Sequence, residues 1–181
     1  MDKTAANNLL ARIREGDDDA LREFYHEYQK KIWTAAFYMT KNVHDAENIL
    51  SKVIERFWRK DFGYVDNLDG LVYKTTKLTA LSYMRDNNKH RYALNHGGDN
   101  ELEAVAAKDG FEEDVEINEV LDLLEEKDRE VVVRHVFFKD SFQEIADDMG
   151  ITKSAAQRRY RRVQKMLKYL LDTTTEDNND G

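Results

Sequence analysis

The side chains with chemical reach in this 181-residue chain are basic, and they gather in one place. From Gly150 to Leu171 stand Lys153, Arg158, Arg159, Arg161, Arg162, Lys165 and Lys168, seven cations with no acid among them. Like charges three or four residues apart repel by roughly 0.2–0.5 kcal/mol per pair in an isolated helix. Arg158 with Arg161 and Arg162, and Arg161 with Lys165, are such pairs. A polyanion repays that repulsion by releasing its condensed counterions; a solvated basic face near a helix end is the other reading. Catalytic chemistry has no such concentration. The five histidines are scattered, there is no cysteine, and neither a glycine-rich phosphate loop nor an HExxH pair occurs. No enzyme activity, metal or cofactor is expected.

The local elements around the cations favour DNA. Ser141 followed by Glu144 is a capping box, which starts a helix. Phe142, Ile145, Ala146 and Met149 follow at helical spacing, and Gly150 stands where a left-handed residue ends the helix. Thr152 can cap a second helix whose Ala155, Ala156, Tyr160 and Val163 form a packed face. Two helices joined by a short glycine-containing turn make a helix-turn-helix, which offers its second helix to the major groove. Lys153, Ser154, Gln157, Arg158, Arg161 and Arg162 then project away from the packed face. Arginine pairs bidentately with guanine and glutamine with adenine, so Gln157, Arg158, Arg161 and Arg162 are the expected base readers. Lys153, Arg159 and Lys165 are expected on phosphates.

A net charge of −8 runs against nucleic-acid binding until its distribution is read. Asp99 to Glu130 holds fourteen acids against Lys108, Lys127 and Arg129, whereas Lys74 to Arg91 holds five bases against Asp86. The absence of proline and the scarcity of strand-like alternation point to an all-α fold. Two small helical domains joined by an acidic linker are expected: 1–91, the linker 92–116, 117–171, and a disordered tail 172–181. No run of 18 apolar residues and no basic-then-apolar leader occur, and cysteine is absent, so no membrane insertion and a cytoplasmic location are expected.

Four amphipathic helices are expected in the first domain. Thr4 to Glu15 carries Leu9, Leu10 and Ile13. A helix capped by Asp17 or Asp18 carries Leu21, Phe24, Tyr25, Tyr28, Ile32, Ala35, Ala36 and Met39. A third, Val43 to Lys60 after Asn42, carries Ala46, Ile49, Leu50, Val53, Ile54, Phe57 and Trp58. The fourth, capped by Asn67, is read with Leu68, Leu71, Val72, Thr75, Leu78, Leu81 and Met84 inward and a basic far end. Most aromatics are read as core, while Tyr73 and Tyr83, beside the cationic stretch, are candidates for stacking on an unpaired base. In the second domain, Val120 to Leu124 forms one helix, and Asp128 caps another bearing Val131, Val132, Val133, Val136, Phe137 and Phe138.

Taken together, ALREFYHEYQKKIW, DAENILSKVIERFWRK and LDGLVYKTTKLTALSYMR, then EVLDLLEEKDREVVVRHVFFKDSFQEIADDMGITKSAAQRRYRRVQKML, resemble regions two and four of a bacterial sigma factor of the extracytoplasmic-function group. The resemblance implies a subunit that binds core RNA polymerase, recognises promoter DNA and melts it. It places polymerase docking on Asp45, Glu47, Asn48, Ser51, Lys52 and Glu55. Upstream of the start site, the −10 element falls to Lys74, Lys77, Tyr83, Arg85, Asn87, Lys89 and Arg91, and the −35 element to the second helix of the helix-turn-helix. An anti-sigma factor is a further implied partner.

The sequence departs from the family pattern at several positions. Ser51-Lys52 replaces Gln-Glu, Lys77-Leu78 replaces Arg-Asn, Ser82 replaces Asp, Glu125-Glu126 replaces Leu-Pro, and Ala155-Ala156-Gln157 replaces Thr-Val-Lys. Two other functions remain open on sequence: a dimeric helix-turn-helix regulator reading a palindrome, and a sigma-like decoy that binds an anti-sigma factor without touching polymerase.

Overall fold

The computed structural model describes residues 2–94 and 120–177, with side chains described for 2–87 and 120–169. It divides into two compact units, Met1–Val120 and Leu121–Gly181. All regular structure among the described residues is helical, as composition implies. The acidic linker of 92–116 lies outside the described residues except for 92–94, where the fourth helix continues.

In the first unit, α1 (Lys3–Arg14) begins at Asp2, whose carboxylate accepts from the Thr4 and Ala5 N–H groups. Asp17 caps α2 (Asp18–Thr40) in the same way, and Lys41 closes it with a left-handed backbone. Asn42 caps α3 (Val43–Arg59), and its Oδ1 accepts from Asp45 N–H at 2.9 Å. These caps satisfy donors that a helix start otherwise leaves unpaired. The expected apolar stripes of α2 and α3 meet: Phe24, Tyr28 and Ile32 are buried with Ala46, Ile49, Val53 and Phe57, and the Phe24 and Phe57 rings lie 4.6 Å apart.

The fourth helix, α4 (Leu68–Leu94), starts as expected at Asn67, whose Oδ1 accepts from Gly70 N–H at 2.9 Å. Its buried face differs from the expected one. Leu78 and Leu81 are 64% and 49% exposed, while Val72, Tyr73, Thr75, Thr76, Thr79 and Ala80 face inward. Thr76 and Thr79 donate to the carbonyls of Val72 and Thr75 at 2.8 and 2.7 Å. A threonine that bonds its own preceding turn satisfies its hydroxyl and can enter a core at little cost. Tyr73 is buried, with its hydroxyl 3.3 Å from that of Tyr38. That burial removes it as a base-stacking candidate.

The second unit, entered through a helical turn at 120–122, holds α5 (Glu126–Val132), a π-helical segment Val133–Phe137, α6 (Phe142–Met149) and α7 (Lys153–Asp177). Asp128 does not cap α5: Glu125 is the N-cap residue and Asp128 lies inside the first turn. The valine run is buried at Val131, Val132 and Val133, and Phe138 with it, but Val136 is 39% exposed. A π turn inserts an extra residue and rotates the following face. Here it places Arg134 inside, 1% exposed, donating to Asp140 at 2.7 Å and Asp148 at 2.8 Å.

The helix-turn-helix forms as the sequence indicates. Glu144 N–H donates to Ser141 Oγ at 3.3 Å, and Ser141 N–H donates to the Glu144 carboxylate at 2.8 Å. Gly150 adopts φ 65°, and Ile151 N–H donates to Ala146 O at 3.0 Å. Val131, Ile145, Ala146 and Ala156 form the core, flanked by Phe142, Met149, Ile151 and Tyr160. His135 joins them, its ring stacked on Phe142 at 4.1 Å. The disordered tail expected at 172–181 is corrected for its first part: α7 runs on through Asp177, because extending an existing helix needs no new nucleus. Residues 178–181 lie outside the described residues.

Candidate nucleic-acid interface

The cations of α7 are set by one capped turn. Thr152 Oγ1 accepts from Ala155 N–H at 3.1 Å, and Ala156 and Val163 press inward at 0% and 2% exposure. With those two inward, Lys153, Ser154, Arg158, Arg161, Arg162 and Lys165 are exposed, and Gln157 and Arg159 are half-buried. The eight residues expected to touch DNA thus lie along the outer part of α7.

Two of them are not free in the way the sequence suggests. Arg159 donates to Asp128 Oδ1 at 2.6 Å, and Arg162 Nε donates to Asp128 Oδ2 at 2.8 Å. A second Arg162 nitrogen reaches both Asp128 and Glu125, the latter at 3.0 Å. The Arg162 guanidinium is held above its ordinary pKa, first by the hydrogen bond to Asp128 and then by the charge attraction of that same carboxylate. Arg162 therefore does not simply project into solvent, as its place on the helix implies. Arg158 and Arg161, by contrast, are exposed on α7.

The second cationic site is built where α4 crosses α3. The Tyr83 hydroxyl donates to Asp45 Oδ1 at 3.0 Å and accepts from Asn48 Nδ2 at 3.2 Å, while Lys52 Nζ lies 6.0 Å from the Tyr83 ring centroid. Tyr83, expected on the −10 element, is thereby brought onto the surface expected to dock polymerase. Among the other docking candidates, Ser51 donates to the Glu47 carbonyl at 3.0 Å and Glu55 pairs with Arg59 at 3.0 Å. Lys74 and Arg85 are exposed, Lys77 and Asn87 are half-buried, and Arg85 donates to Ser82 at 3.3 Å. The side chains of Lys89 and Arg91 lie outside the described residues.

A groove of about 590 Å³ runs beside Tyr83, lined by Lys52, Arg56, Arg59, Lys60, Thr79, Ser82, Asp86 and Asn87 among others. Arg56, Arg59 and Lys60 escaped the sequence reading. Their signal was present: Arg56 and Lys60 continue, four residues at a time, the row that contains Lys52. No cluster of acids and histidines suited to a metal ion occurs among the described residues, and none of their helices is long and apolar enough to cross a membrane.

Comparison with known proteins fits this geometry. Residues 114–174 match the family model for sigma-70, region 4. This segment, about a third of the chain, is similar to sigma-70 region 4. The region 4 match spans α5, α6 and most of α7, so the arginine-bearing helix is the second helix of the helix-turn-helix in the segment that matches region 4. The fold of the chain is similar to that of CnrH, solved in complex with the cytosolic domain of CnrY, with a TM-score of 0.60 and 18% identity over 93% of this chain and 98% of that one. It is also similar to the sigma factor RpoE of Bartonella quintana, solved in complex with the anti-sigma factor NepR, with a TM-score of 0.56 and 17% identity over 83% of this chain and 98% of that one. No curated protein sequence matches the chain.

Proposed function

We propose that this chain is a sigma-70 family sigma factor of the extracytoplasmic-function type, which joins core RNA polymerase, directs it to a promoter set and aids melting there. The observation that carries this reading is the region 4 helix-turn-helix, whose second helix exposes Arg158 and Arg161 on a scaffold of matching fold. In this reading Gln157, Arg158 and Arg161 read base edges at the −35 element while Lys153, Ser154 and Lys165 hold the backbone. Lys74, Lys77, Tyr83, Arg85, Asn87, Lys89 and Arg91 serve the −10 element. Asp45, Glu47, Asn48, Ser51, Lys52 and Glu55 meet the polymerase. The exposed Leu78, where the family pattern has Asn, shifts −10 preference rather than folding, because its side chain supports no core.

An anti-sigma factor is proposed as a partner, since RpoE was solved with one. The chain acts by binding and carries no chemical step of its own, and its place of action is the cytoplasm, where polymerase is. Run-off transcription with core polymerase and genomic fragments tests the reading. Initiation at a new set of start sites is expected with the chain present, and Arg158→Ala weakens it. Absence of any chain-dependent start site overturns the reading, and a stable dimer protecting a palindrome without polymerase replaces it with a conventional regulator.

A further inference from the structure

Arg159 and Arg162 stand three residues apart on α7, which places both over a single carboxylate. That carboxylate is Asp128, 3% exposed, and each of its oxygens holds one guanidinium. Charge-assisted bonds of this kind are short and fix geometry. Arg158, Arg159 and Arg162 line a cleft of about 280 Å³ together with Ala155 and Glu125. The small Ala155 leaves room for a group to approach. Glu125 differs from Asp128 in exposure: its side chain is 72% exposed, against 5% for Asp128. A buried carboxylate bonded to two arginines is costly to remove, whereas an exposed one in high-dielectric surroundings is readily exchanged.

We propose that Asp128 is a positioning residue that sets Arg159 and Arg162 as a clamp for one phosphate of the DNA backbone, and that Glu125 is the carboxylate this phosphate displaces. This rests on the DNA-binding reading of α7 given above. The Arg159 and Arg162 guanidiniums are matched by two carboxylates, Asp128 and Glu125, so exchanging Glu125 for a phosphate monoanion keeps the charge balance and frees Glu125 to solvent. Arg162 then contributes affinity independent of base sequence, which removes it from the base readers and leaves that role to Gln157, Arg158 and Arg161. Two carboxylates of α5 and its cap thus split one row of arginines into readers and holders.

The test is binding of the full-length chain to a fluorescent random-sequence duplex of about 30 base pairs, followed by anisotropy from roughly 50 to 300 mM salt. Glu125→Gln is expected to tighten binding about two- to fivefold, and to have no effect once Arg162→Ala is present, because the competing carboxylate acts through that guanidinium. Arg162→Ala is expected to lower the salt slope by about 1 and to weaken all sequences alike. Asp128→Asn is expected to weaken binding and flatten the slope although it removes a negative charge, with Asp128→Glu restoring part of the loss.

Tighter binding by Asp128→Asn with native helical circular dichroism shows that Asp128 is only a competing anion and overturns the clamp. If Asp128→Asn does not fold, additive effects of Glu125→Gln and Arg162→Ala overturn it instead. If the wild-type chain binds no duplex, alone or with core polymerase, the DNA-binding reading fails together with the clamp. If Arg158→Ala weakens binding while the Glu125, Asp128 and Arg162 variants leave it unchanged, that reading stands and the clamp alone is lost.

Discussion

Tyr83 on α4 donates its hydroxyl to Asp45 on α3 at 3.0 Å, across 38 residues of sequence, and takes a second bond from Asn48. This contact orients the start of α3, because Asp45 N–H is itself bound to the Asn42 cap. The candidate polymerase-docking face and the candidate −10 face therefore share one side chain. Tyr83→Phe removes both bonds and keeps the ring. It is expected to destabilise the first unit by about 0.5–1.5 kcal/mol, read as a lower denaturant midpoint by tryptophan fluorescence. Affinity for core polymerase is expected to fall a few-fold, because Asp45 and Asn48 lose the group that aims them.

Arg134 and Asp140 form the most deeply buried ion pair among the described residues, at 1% and 0% side-chain exposure. Asp140→Ala takes from the buried guanidinium its fully buried carboxylate partner, and costs about 3–5 kcal/mol by the measure of broken buried pairs. Both tryptophans, Trp33 and Trp58, belong to the first unit. The variant should therefore lose helical circular dichroism early while the tryptophan transition stays where it was. A coincident shift of both signals would show that the units do not unfold separately.

Ser141 starts the first helix of the helix-turn-helix, and Gly150 ends it in the left-handed region. Ser141→Ala loses the side-chain acceptor of the capping box, at about 1 kcal/mol. Gly150→Ala meets no neighbouring atom, since nothing lies within 4 Å of an added Cβ; its cost of about 1–2 kcal/mol is conformational. Chemical denaturation followed by circular dichroism should show both as lower midpoints with unchanged slopes.

Asp17 has its carboxyl held below the usual range, first by the Ala20 N–H and then by Arg12. Asp61 is lowered too, first by the Gly63 N–H and then by Arg14. A carboxyl with a depressed folded-state pKa contributes stability that is fully present above its unfolded value of about 3.9 and is lost as pH falls through the folded value. The melting temperature of the first unit should thus hold from neutral pH down to about 5 and drop below about 4. Asp17→Asn keeps a good cap but cannot titrate. A melting curve for Asp17→Asn with the same acid dependence as wild type would show that Asp17 is not a source of it.

Much of the molecule was legible in residue order because the deciding interactions are local. Asp17, Asn42, Asn67, Ser141 with Glu144, and Thr152 each bond a backbone N–H within three residues, so their types and spacing suffice to start a helix there. Gly150 needs only its own backbone to end one. The apolar rows of α2 and α3 were plain for the same reason: a period of three and four residues defines a face wherever the helix goes.

Other features depend on which side chain arrives from far along the chain. On α4 two faces were available, one with Leu78 and Leu81 and one with Thr75, Thr76 and Thr79; packing took the threonine face, because its hydroxyls bond their own helix and its small side chains fit. The π turn before Phe138 rotated a valine run and drew Arg134 inward to acids at 140 and 148. Asp128 looks like a cap in sequence, yet it meets Arg159 and Arg162 across 31 and 34 residues. Residue order alone determined the helices, their caps and a cationic second helix in a helix-turn-helix. Tertiary packing decided which of its arginines face outward and which are held, because a charge settles against the nearest opposite charge in space rather than in sequence.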